Sequence, residues 1–423
     1  MDTEKNHPLP GSPPPPPTWG QETIFIGPEL KKRIQVKKSA KNEAVLVLGA
    51  GGAFAPELLN ALYLQGTKCI IGADIQLTYK VDHVTYRKLD LCNPNSIKAF
   101  FNQLFEFLKQ NNLKLGTIYD LSTTQTSPSE DQDRNQLVHG KQALIDILCE
   151  QKQDIYYMFM STAEVYGAPK GAPYFEKSTK APFNSYGKHK FLEEKQILAA
   201  HGRPTKKGTL KTTALRCWTI SMVSVDPQGN ILSTRNYNDP FVMLAQKLSH
   251  AGIKIPVVYK NIKAQFHFAE EVAEICLLLG EAPPDATTWN GEAYNCPGKE
   301  ATHEQFSQAC FDVFSSSCPK KPWWSIFVQM VFKFATSLPK PVFMTIVKTL
   351  ELAGDLLKVR DFSGRLPFLY RSTHMDSSKI KGVFALSLSE PNGSCSVKAV
   401  ERLAKGILHG GTEALNVRRF KKY

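Results

Sequence analysis

The stretch AVLVLGAGGAFAPELLNALYLQG, residues 44–66, decides the fold. It begins as an apolar run with strand character, passes through a glycine-rich turn, and continues with apolar residues at helical spacing. Gly49, Gly52 and Ala55 fit the spacing G-x-x-G-x-x-[G/A]. The first glycine allows a tight turn, the second lets backbone approach a phosphate, and the small third residue lets the helix pack closely on the strand. Because the helix N-terminus also offers N–H donors and a favourable dipole, the stretch predicts a dinucleotide-binding turn.

The same alternation of short apolar runs and longer helical segments continues along the chain. The runs KCIIGAD (68–74), LGTIYDLS (115–122) and IYYMFMSTAEVYG (155–167) each end in polar residues. Residues 88–110 have the pattern of a strand end, a turn and an amphipathic helix. Strands that alternate with helices predict an α/β fold with a doubly wound parallel sheet covered on both faces. Functional groups are then expected at the carboxyl ends of the strands.

Acidic residues follow two of the predicted strands and are candidates for cofactor binding. Asp74, at the end of KCIIGAD, is placed to accept hydrogen bonds from a ribose diol and would repel a 2′-phosphate, which favours NAD(H) over NADP(H). A carboxylate that only caps the next turn is the alternative. Asp90 follows a further strand-like run and is a candidate for the adenine end, with a structural role nearly as well supported. The predicted cofactor contacts are completed by Ala53, Phe54 and Leu91.

The segment NSYGKHK, residues 184–190, places Tyr186 and Lys190 one helical turn apart on the same face. Taken alone this spacing is common and also fits the polar start of a surface helix. Thr162, however, ends an earlier apolar strand, so its hydroxyl and the phenol of Tyr186 can converge on one substrate oxygen. Lys190 would then lower the pKa of the phenol and bind the nicotinamide ribose, while Tyr186 exchanges a proton with an alcohol or carbonyl.

The motifs GAGGAFA, STAEVYG, SYGKHK, ALRCW, QFHFAEEVAEICLLL and YNCPG occur in an order that resembles the extended short-chain dehydrogenase/reductase superfamily, in its NAD-dependent epimerase/dehydratase group. The resemblance runs from about Ala44 to Gly298, and THMDSSKIKGVF is similar to the closing motif of the family. It implies a Rossmann-type domain, bound NAD(P), and Thr162, Tyr186 and Lys190 as the catalytic set, with Ser161 as the neighbouring candidate. Homodimers are common in this family.

Three departures from the family pattern bear on the chemistry. Where dehydratases of nucleotide sugars carry Thr-Asp-Glu, this chain has Thr162, Ala163 and Glu164, so the acid that protonates a leaving hydroxyl is missing. Leu137 occupies the usual place of a helix asparagine before Gly140, which weakens the case for a proton relay. The segment after ALRCW lacks the usual Gly-Pro turn, which indicates a remodelled substrate pocket.

Two substrates fit an enzyme of this kind. A nucleotide sugar would need arginines or lysines for its diphosphate, and the candidates are Arg235, Arg360, Arg365 and Arg371. A bulky hydrophobic alcohol or ketone is indicated instead by apolar segments within 322–358, a feature that resembles the 3β-hydroxysteroid and sterol dehydrogenase branch. The sequence slightly favours this sterol-like substrate for an NAD-dependent dehydrogenase, with a nucleotide-sugar 4-epimerase as the alternative. Trp323 and Trp324 beside two lysines suit a membrane interface, whereas helices that only cap the substrate pocket are the equally supported alternative.

A protein of a different class, a sensor or scaffold that binds a dinucleotide without turnover, also fits the fold. Such proteins often lose the tyrosine or the lysine, and this chain keeps both, which favours an enzyme. A net charge of +13 favours anionic partners, but no base-stacking aromatic motif indicates nucleic acid. The nine scattered cysteines contain no C-x-x-C pair, so neither a metal site nor a disulfide framework is predicted and a reducing compartment is expected.

The composition changes along the chain in three steps. Residues 1–42 form a Pro-rich and basic arm, predicted to be disordered, whose polyproline run is also suited to docking on a partner. Residues 43–225 are predicted to hold the NAD(P)-binding domain with its catalytic helix, and 226–423 a substrate-binding portion that returns strands to the sheet. With neither a secretory signal nor a spanning segment, the expected location is cytoplasmic, with peripheral membrane association left open.

Overall fold

The computed structural model places an α/β sheet at the centre of the protein. It describes residues 24–25, 42–77, 80–123, 130–167, 172–182, 184–221, 223–225, 231–234, 262–281, 290–315, 372–384 and 387–388, with single helical positions between 330 and 349. The strands are β1 (Ile24–Phe25), β2 (Glu43–Leu48), β3 (Cys69–Asp74), β4 (Thr85–Lys88), β5 (Lys114–Asp120), β6 (Ile155–Thr162), β7 (Pro204–Thr205), β8 (Gly208–Cys217), β9 (Thr219–Ser221), β10 (Val223–Val225), β11 (Ile231–Thr234), β12 (Lys263–Phe268), β13 (Ala293–Asn295), β14 (Lys299–Thr302) and β15 (Ser387–Leu388).

Most of these strands form an eight-stranded sheet in the order β13-β8-β6-β5-β2-β3-β4, with β7 paired to β8. Every pairing along that order is parallel, and only the short β7 runs antiparallel. From β2 the chain moves outward through β3 and β4, and then crosses back to place β5 on the other side of β2. This reversal creates a crevice at the carboxyl ends of β2 and β5, which is where ligands bind in open α/β sheets.

Helices cover both faces of the sheet and bury its apolar residues. They are α1 (Ala55–Leu64), α2 (Pro94–Gln110), α3 (Glu130–Cys149), α4 (Ser185–Ala199), α5 (Ala269–Glu281), α6 (His303–Ser315) and α7 (Ser378–Phe384). One core cluster joins the sheet to α1 and α5, and a second joins its other face to α2, α3 and α4. The buried pattern of β6, all eight residues, matches a central strand covered on both sides. The predicted doubly wound parallel sheet is confirmed.

Residues from the later part of the chain also enter this architecture. The strand β13 joins the edge of the main sheet beside β8, and β12 pairs in parallel with β9 and antiparallel with β14. The segment 372–376 packs on Tyr174, whose N–H donates to the His374 carbonyl at 3.0 Å. The strand β13 and the segment 372–376 therefore pack on elements of the predicted cofactor domain.

Several predictions fall on residues that the structure does not describe. These are almost all of the arm 1–42, apart from β1, and the two tryptophans and most of the apolar segments within 322–358. Among the helices that are described, none is long and apolar enough to cross a membrane. Within the same residues, no group of three or more His, Cys, Asp or Glu side chains is placed to hold a metal ion.

Candidate functional site

The glycine turn after β2 is built by backbone contacts that exclude side chains. Gly49 has a φ of 75°, and its N–H donates to the Ala73 carbonyl at 2.9 Å. A Cβ at Gly49 would lie 2.7 Å from the Ser122 nitrogen, because the end of β5 passes directly beside the turn. A Cβ at Gly51 would lie 1.9 Å from the Gln76 carbonyl oxygen. Gly51, which the motif spacing does not single out, is therefore the tightest position of the turn.

The outer side of the turn fits a phosphate group. Gly52 is exposed, and a Cβ there would approach only the Gly49 carbonyl, at 3.2 Å. Among the described residues, no acceptor is assigned to the N–H groups of Ala53 and Phe54, which precede α1. Two backbone donors at a helix N-terminus match the pyrophosphate of a dinucleotide. The turn therefore has room and donors for a phosphate, and the contacts of its residues with a cofactor stay a prediction.

Asp74 lies at the end of β3 with its carboxylate against the glycine turn. Its Oδ2 accepts from the Gly51 N–H at 2.9 Å, and its Oδ1 accepts from the Ile75 N–H at 2.6 Å and from the Gln76 N–H at 3.3 Å. The carboxylate therefore holds the turn in place, as the structural alternative expects. A carboxylate has about four acceptor positions, so these three bonds leave about one for a ribose hydroxyl.

Asp90 and Leu91 form a tight turn between β4 and α2. Asp90 Oδ1 accepts from the Cys92 N–H at 2.8 Å, and the Asp90 N–H donates to Ser96 Oγ at 3.0 Å. A Cβ at Gly140 would lie 1.8 Å from the Leu91 carbonyl oxygen, so α3 packs directly on this turn. The observed contacts of both residues stabilise the turn, and their predicted contact with the adenine end remains a prediction.

The start of α4 is fastened to the turn that follows Thr162. Asn184 caps the helix through its Oδ1, which accepts from the Gly187 N–H at 2.7 Å, while its Nδ2 donates to Glu164 Oε2 at 2.5 Å. A Cβ at Gly187 would lie 2.8 Å from the Glu164 carbonyl oxygen. The helix that carries Tyr186 is thereby held against the end of β6, the strand that carries Thr162.

Lys190 is buried, with its ammonium group directed at backbone carbonyls near the ends of β5 and β6. Its Nζ donates to the Ser122 and Met160 carbonyls, each at 3.0 Å, and lies 4.4 Å from the centre of the Phe159 ring. Burial lowers the pKa of Lys190 below its ordinary value, even though nearby carboxylates act in the opposite direction. These two bonds use two of the three donors of the ammonium group.

The structure distinguishes Thr162 from its neighbour Ser161. Ser161 Oγ donates to Glu194 Oε2 at 2.6 Å, and Arg216 holds the same carboxylate through two further hydrogen bonds. Although burial disfavours the charge on Arg216, its bonds to Glu194 raise its pKa. Ser161 thus belongs to a buried structural network. Within the described part of the chain, Thr162 Oγ1 accepts a single weak bond, at 3.3 Å from the Glu164 N–H, and it remains the candidate hydroxyl.

Tyr186 is half-buried on the first turn of α4, four residues before Lys190 as the spacing predicts. The guanidinium carbon of Arg134, from α3, lies 5.8 Å from the centre of its ring. A second contact joins the same two helices, because His189 Nε2 and Asn135 Oδ1 are 3.2 Å apart. Leu137, which stands at the place of the family asparagine, is buried in the core. Helix α3 therefore lies beside the catalytic candidates, but at position 137 it carries no asparagine.

A cluster of charged side chains beneath Lys190 was not predicted from the sequence. Asp120, Lys141 and Glu193 are buried between β5, α3 and α4, and Lys141 Nζ forms an ion pair with Asp120 Oδ2. One signal was present: Lys141 stands on the apolar stripe of its helix, four residues after Leu137 and three before Leu144. A lysine on a core-facing stripe is rarely buried without a partner.

The arginines Arg235, Arg360, Arg365 and Arg371 lie outside the described residues.

The comparisons with known proteins agree with this fold. The model of the NAD dependent epimerase/dehydratase family matches residues 45–296. No curated protein sequence matches the chain. Similar solved structures include the Bordetella bronchiseptica enzyme WbmG in complex with NAD and UDP, at 16% identity and a TM-score of 0.55, with 86% of this chain and 95% of that chain covered. UDP-glucose 4-epimerase from Thermotoga maritima, with UDP-glucose, has 15% identity and a TM-score of 0.55 over 88% of this chain and 99% of that one. The Bacillus anthracis dTDP-glucose 4,6-dehydratase, in complex with NAD, has 14% identity and a TM-score of 0.52 over 88% and 98%.

The fold and the turn after β2 define an NAD-dependent enzyme of the extended short-chain dehydrogenase/reductase kind. The chain belongs to the NAD-dependent epimerase/dehydratase family, whose model covers more than half of it. The resemblance read from the sequence motifs is confirmed at the level of the family. The sterol dehydrogenase branch is not confirmed.

Proposed function

We propose that the protein transfers hydride at a secondary alcohol carbon of a nucleotide sugar and interconverts epimers through a ketone, with Tyr186, Thr162 and Lys190 as its catalytic groups. One observation carries this proposal. Tyr186 and Lys190 lie one turn apart at the start of α4, and the cap of that helix is bonded to the turn that follows Thr162.

Each of the three side chains has a defined task in this proposal. Bound NAD supplies the hydride acceptor and donor. Tyr186 takes the proton of the reacting hydroxyl as the ketone forms and returns it as the alcohol is restored. Thr162 donates a hydrogen bond to the same oxygen and orients it. The positive charge of Lys190, one turn away, favours the phenolate form of the tyrosine, and its remaining donor is available to the nicotinamide ribose.

Epimerisation is favoured over net dehydration because the site offers no free acid for a leaving hydroxyl at the position where dehydratases carry one. Ala163 has only a methyl group and is fully buried. The next residue, Glu164, accepts the hydrogen bond from Asn184 Nδ2 and is used in positioning α4. A reaction that only moves hydride and one proton needs neither residue.

A nucleotide sugar is the substrate class that the similar structures favour. WbmG was crystallised with UDP and the Thermotoga maritima enzyme with UDP-glucose. The net charge of +13 also suits a diphosphate. The sterol-like alternative rests on apolar segments that lie mostly outside the described residues.

For the cofactor, we assign the pyrophosphate to the turn of Gly49, Gly52, Ala53 and Phe54, and the adenosine ribose to Asp74. The N–H donors before α1, to which the described residues supply no acceptor, and the carboxylate against the turn support this assignment. Asp90 and Leu91 would border the adenine, on the turn where α3 packs.

The test follows substrate conversion in the purified protein. With NAD present, UDP-glucose or UDP-N-acetylglucosamine should yield its C4 epimer, seen as a new anomeric proton signal by NMR. Tyr186→Phe is expected to lower the rate at least about 100-fold, because it removes the proton-transfer group, while NAD binding persists. The matched control is Tyr63→Phe, at a half-buried tyrosine near the distant end of α1 whose ring stacks on His83.

Two results would contradict the proposal separately. Full turnover by Tyr186→Phe would refute the catalytic assignment. Oxidation of a hydrophobic secondary alcohol, without conversion of any UDP-sugar, would refute the substrate class and support the sterol-like reading.

A further inference from the structure

Four ionisable side chains meet in the interior between β5, α3 and α4. They are Asp120, Lys141, Lys190 and Glu193, and each is at most 3% exposed. Lys141 Nζ contacts Asp120 Oδ2 and lies 3.8 Å from Glu193 Oε2. Burying one unpaired charge is costly, and four in one place must compensate one another. With all four ionised, the two ammonium groups balance the two carboxylates.

Asp120 is the member of the cluster whose carboxylate accepts several hydrogen bonds. Besides Lys141, it accepts from Ser122 Oγ at 2.6 Å, from the Ser122 N–H at 3.1 Å and from the Tyr157 hydroxyl at 2.5 Å. Burial acts to raise the pKa of Asp120, but Lys141, Lys190 and the hydrogen bonds outweigh it and hold that pKa below its ordinary value. Asp120 and Lys141 therefore form an ion pair whose net charge is zero.

Glu193 is the member of the cluster whose hydrogen bonding is incomplete among the described residues. Its Oε2 accepts no hydrogen bond within the described part of the chain, and the nearest ammonium group stands 3.8 Å away. Burial raises the pKa of Glu193, while the charges of Lys190 and Lys141 oppose that rise. Lys141 is already paired with Asp120, and Glu193 follows Lys190 by three residues on α4, so these two side chains lie on the same face of the helix.

The charged groups around Lys190 come from three elements. They are Asp120 on β5, Lys141 on α3, and Glu193 and Glu194 on α4. Of these, Glu193 acts most strongly to raise the pKa of Lys190, against burial and against Lys141, which lower it. Glu194 is engaged by Arg216, and Asp120 by Lys141. Glu193 is thus the carboxylate whose charge is available to Lys190.

We propose that Glu193 is a positioning residue that keeps Lys190 protonated. The ion pair with Asp120 neutralises the positive charge of Lys141, which would otherwise favour loss of the proton from Lys190. The inference rests on the proposed roles of Tyr186 and Lys190, but not on the identity of the substrate. It adds to the site a buried group of charged side chains that sets the charge of the catalytic lysine.

The test compares Glu193→Gln with the wild-type chain, because glutamine keeps the shape and removes the charge. In protein labelled with 13C at the lysine ε-carbons, the Lys190 signal is identified by its absence in Lys190→Met. In Glu193→Gln that signal is expected to titrate at least about one pH unit lower. The matched control is Glu106→Gln, an exposed glutamate on α2, which should leave the titration unchanged.

NADH affinity provides a second measurement that needs no substrate. As the pH rises and Lys190 loses its charge, the affinity should fall. In Glu193→Gln that fall should begin about one pH unit earlier, which is about tenfold weaker binding at a pH within the window. Glu193→Asp, which keeps the charge, should restore most of the wild-type profile.

The outcomes separate this inference from the proposed function. If Glu193→Gln only lowers stability and leaves the Lys190 titration and the NADH profile unchanged, Glu193 has a merely structural role and the inference is wrong. A wild-type chain that binds no NADH at any pH would overturn the proposed function, and with it the inference.

Discussion

The buried ion pair between Asp120 and Lys141 gives the sharpest prediction for stability. Both side chains are fully shielded from solvent, and β5 and α3 hold them in contact. Lys141→Met keeps the length and apolar stem of the side chain but leaves the Asp120 carboxylate buried without its ammonium partner. Breaking one side of a buried pair costs about 3–5 kcal/mol. We therefore expect Lys141→Met to lose that much of the free energy of unfolding.

The reverse change and the double change test whether the cost belongs to the pair. Asp120→Asn should cost a similar amount, because it leaves the ammonium group of Lys141 uncompensated. The double variant replaces both charges by neutral groups, so its cost should fall short of the sum of the single costs by about 2 kcal/mol or more. Urea unfolding followed by circular dichroism at pH 7 measures all four proteins.

The pH dependence provides an internal check with a defined sign. The pKa of Asp120 is lowered in the folded state. Its contribution to stability is therefore present above the ordinary aspartate pKa and is lost as the pH falls through the lowered value. The advantage of the wild type over Asp120→Asn should shrink on acidification. A Lys141→Met variant as stable as the wild type, or single costs that simply add, would refute the reasoning.

Three further expectations concern the turn, the two hydroxyls and one reactive lysine. Gly51→Ala places a methyl group against a neighbouring carbonyl and should weaken NAD binding at least about tenfold by calorimetry, whereas Gly382→Ala, with open space around it, should not. Ser161→Ala should cost about 1 kcal/mol in urea unfolding and leave turnover largely intact, whereas Thr162→Ala should lose turnover with little change in stability; the opposite result would exchange their roles. Burial and nearby positive charge lower the pKa of Lys180 to about 8, so peptide mass spectrometry should find it among the first lysines modified by an amine-reactive ester at pH 8; modification only after the exposed lysines would contradict this.

Local patterns in the sequence predicted the cofactor half of the protein. These patterns are the glycine turn, the strands before and after it, and the spacing of Tyr186 and Lys190. Each of them is formed by residues that are close to one another in the sequence. Their periods of 2.0 and 3.6 are properties of single elements, so they can be read before any tertiary contact is known. The amphipathic segment 88–110 became α2, which begins at Pro94, directly after its cap Asn93.

Apart from the position of Lys141 on the apolar stripe of α3, local patterns did not indicate the charged cluster beneath Lys190. Its members come from β5, α3 and α4, and only the packing of three elements brings Asp120 to Lys141 and Lys141 to Glu193. In the sequence, Glu193 and Glu194 look alike. In the structure, Glu194 is held by Arg216 and Ser161, whereas Glu193 Oε2 accepts no hydrogen bond from the described residues.

The amino-acid sequence by itself determined the class of fold, the family, the dinucleotide turn and the pairing of Tyr186 with Lys190, because these depend on local spacing. Only the tertiary structure showed that Ser161 and Thr162 have different surroundings. Alternation along a strand requires neighbouring side chains to point to opposite faces, but it does not say which face meets which helix. That choice was made when α4 packed on β6 and brought Glu194 to Ser161. The same packing set the charged surroundings of Lys190, since electrostatic interactions depend on distances between elements and not on positions in the chain.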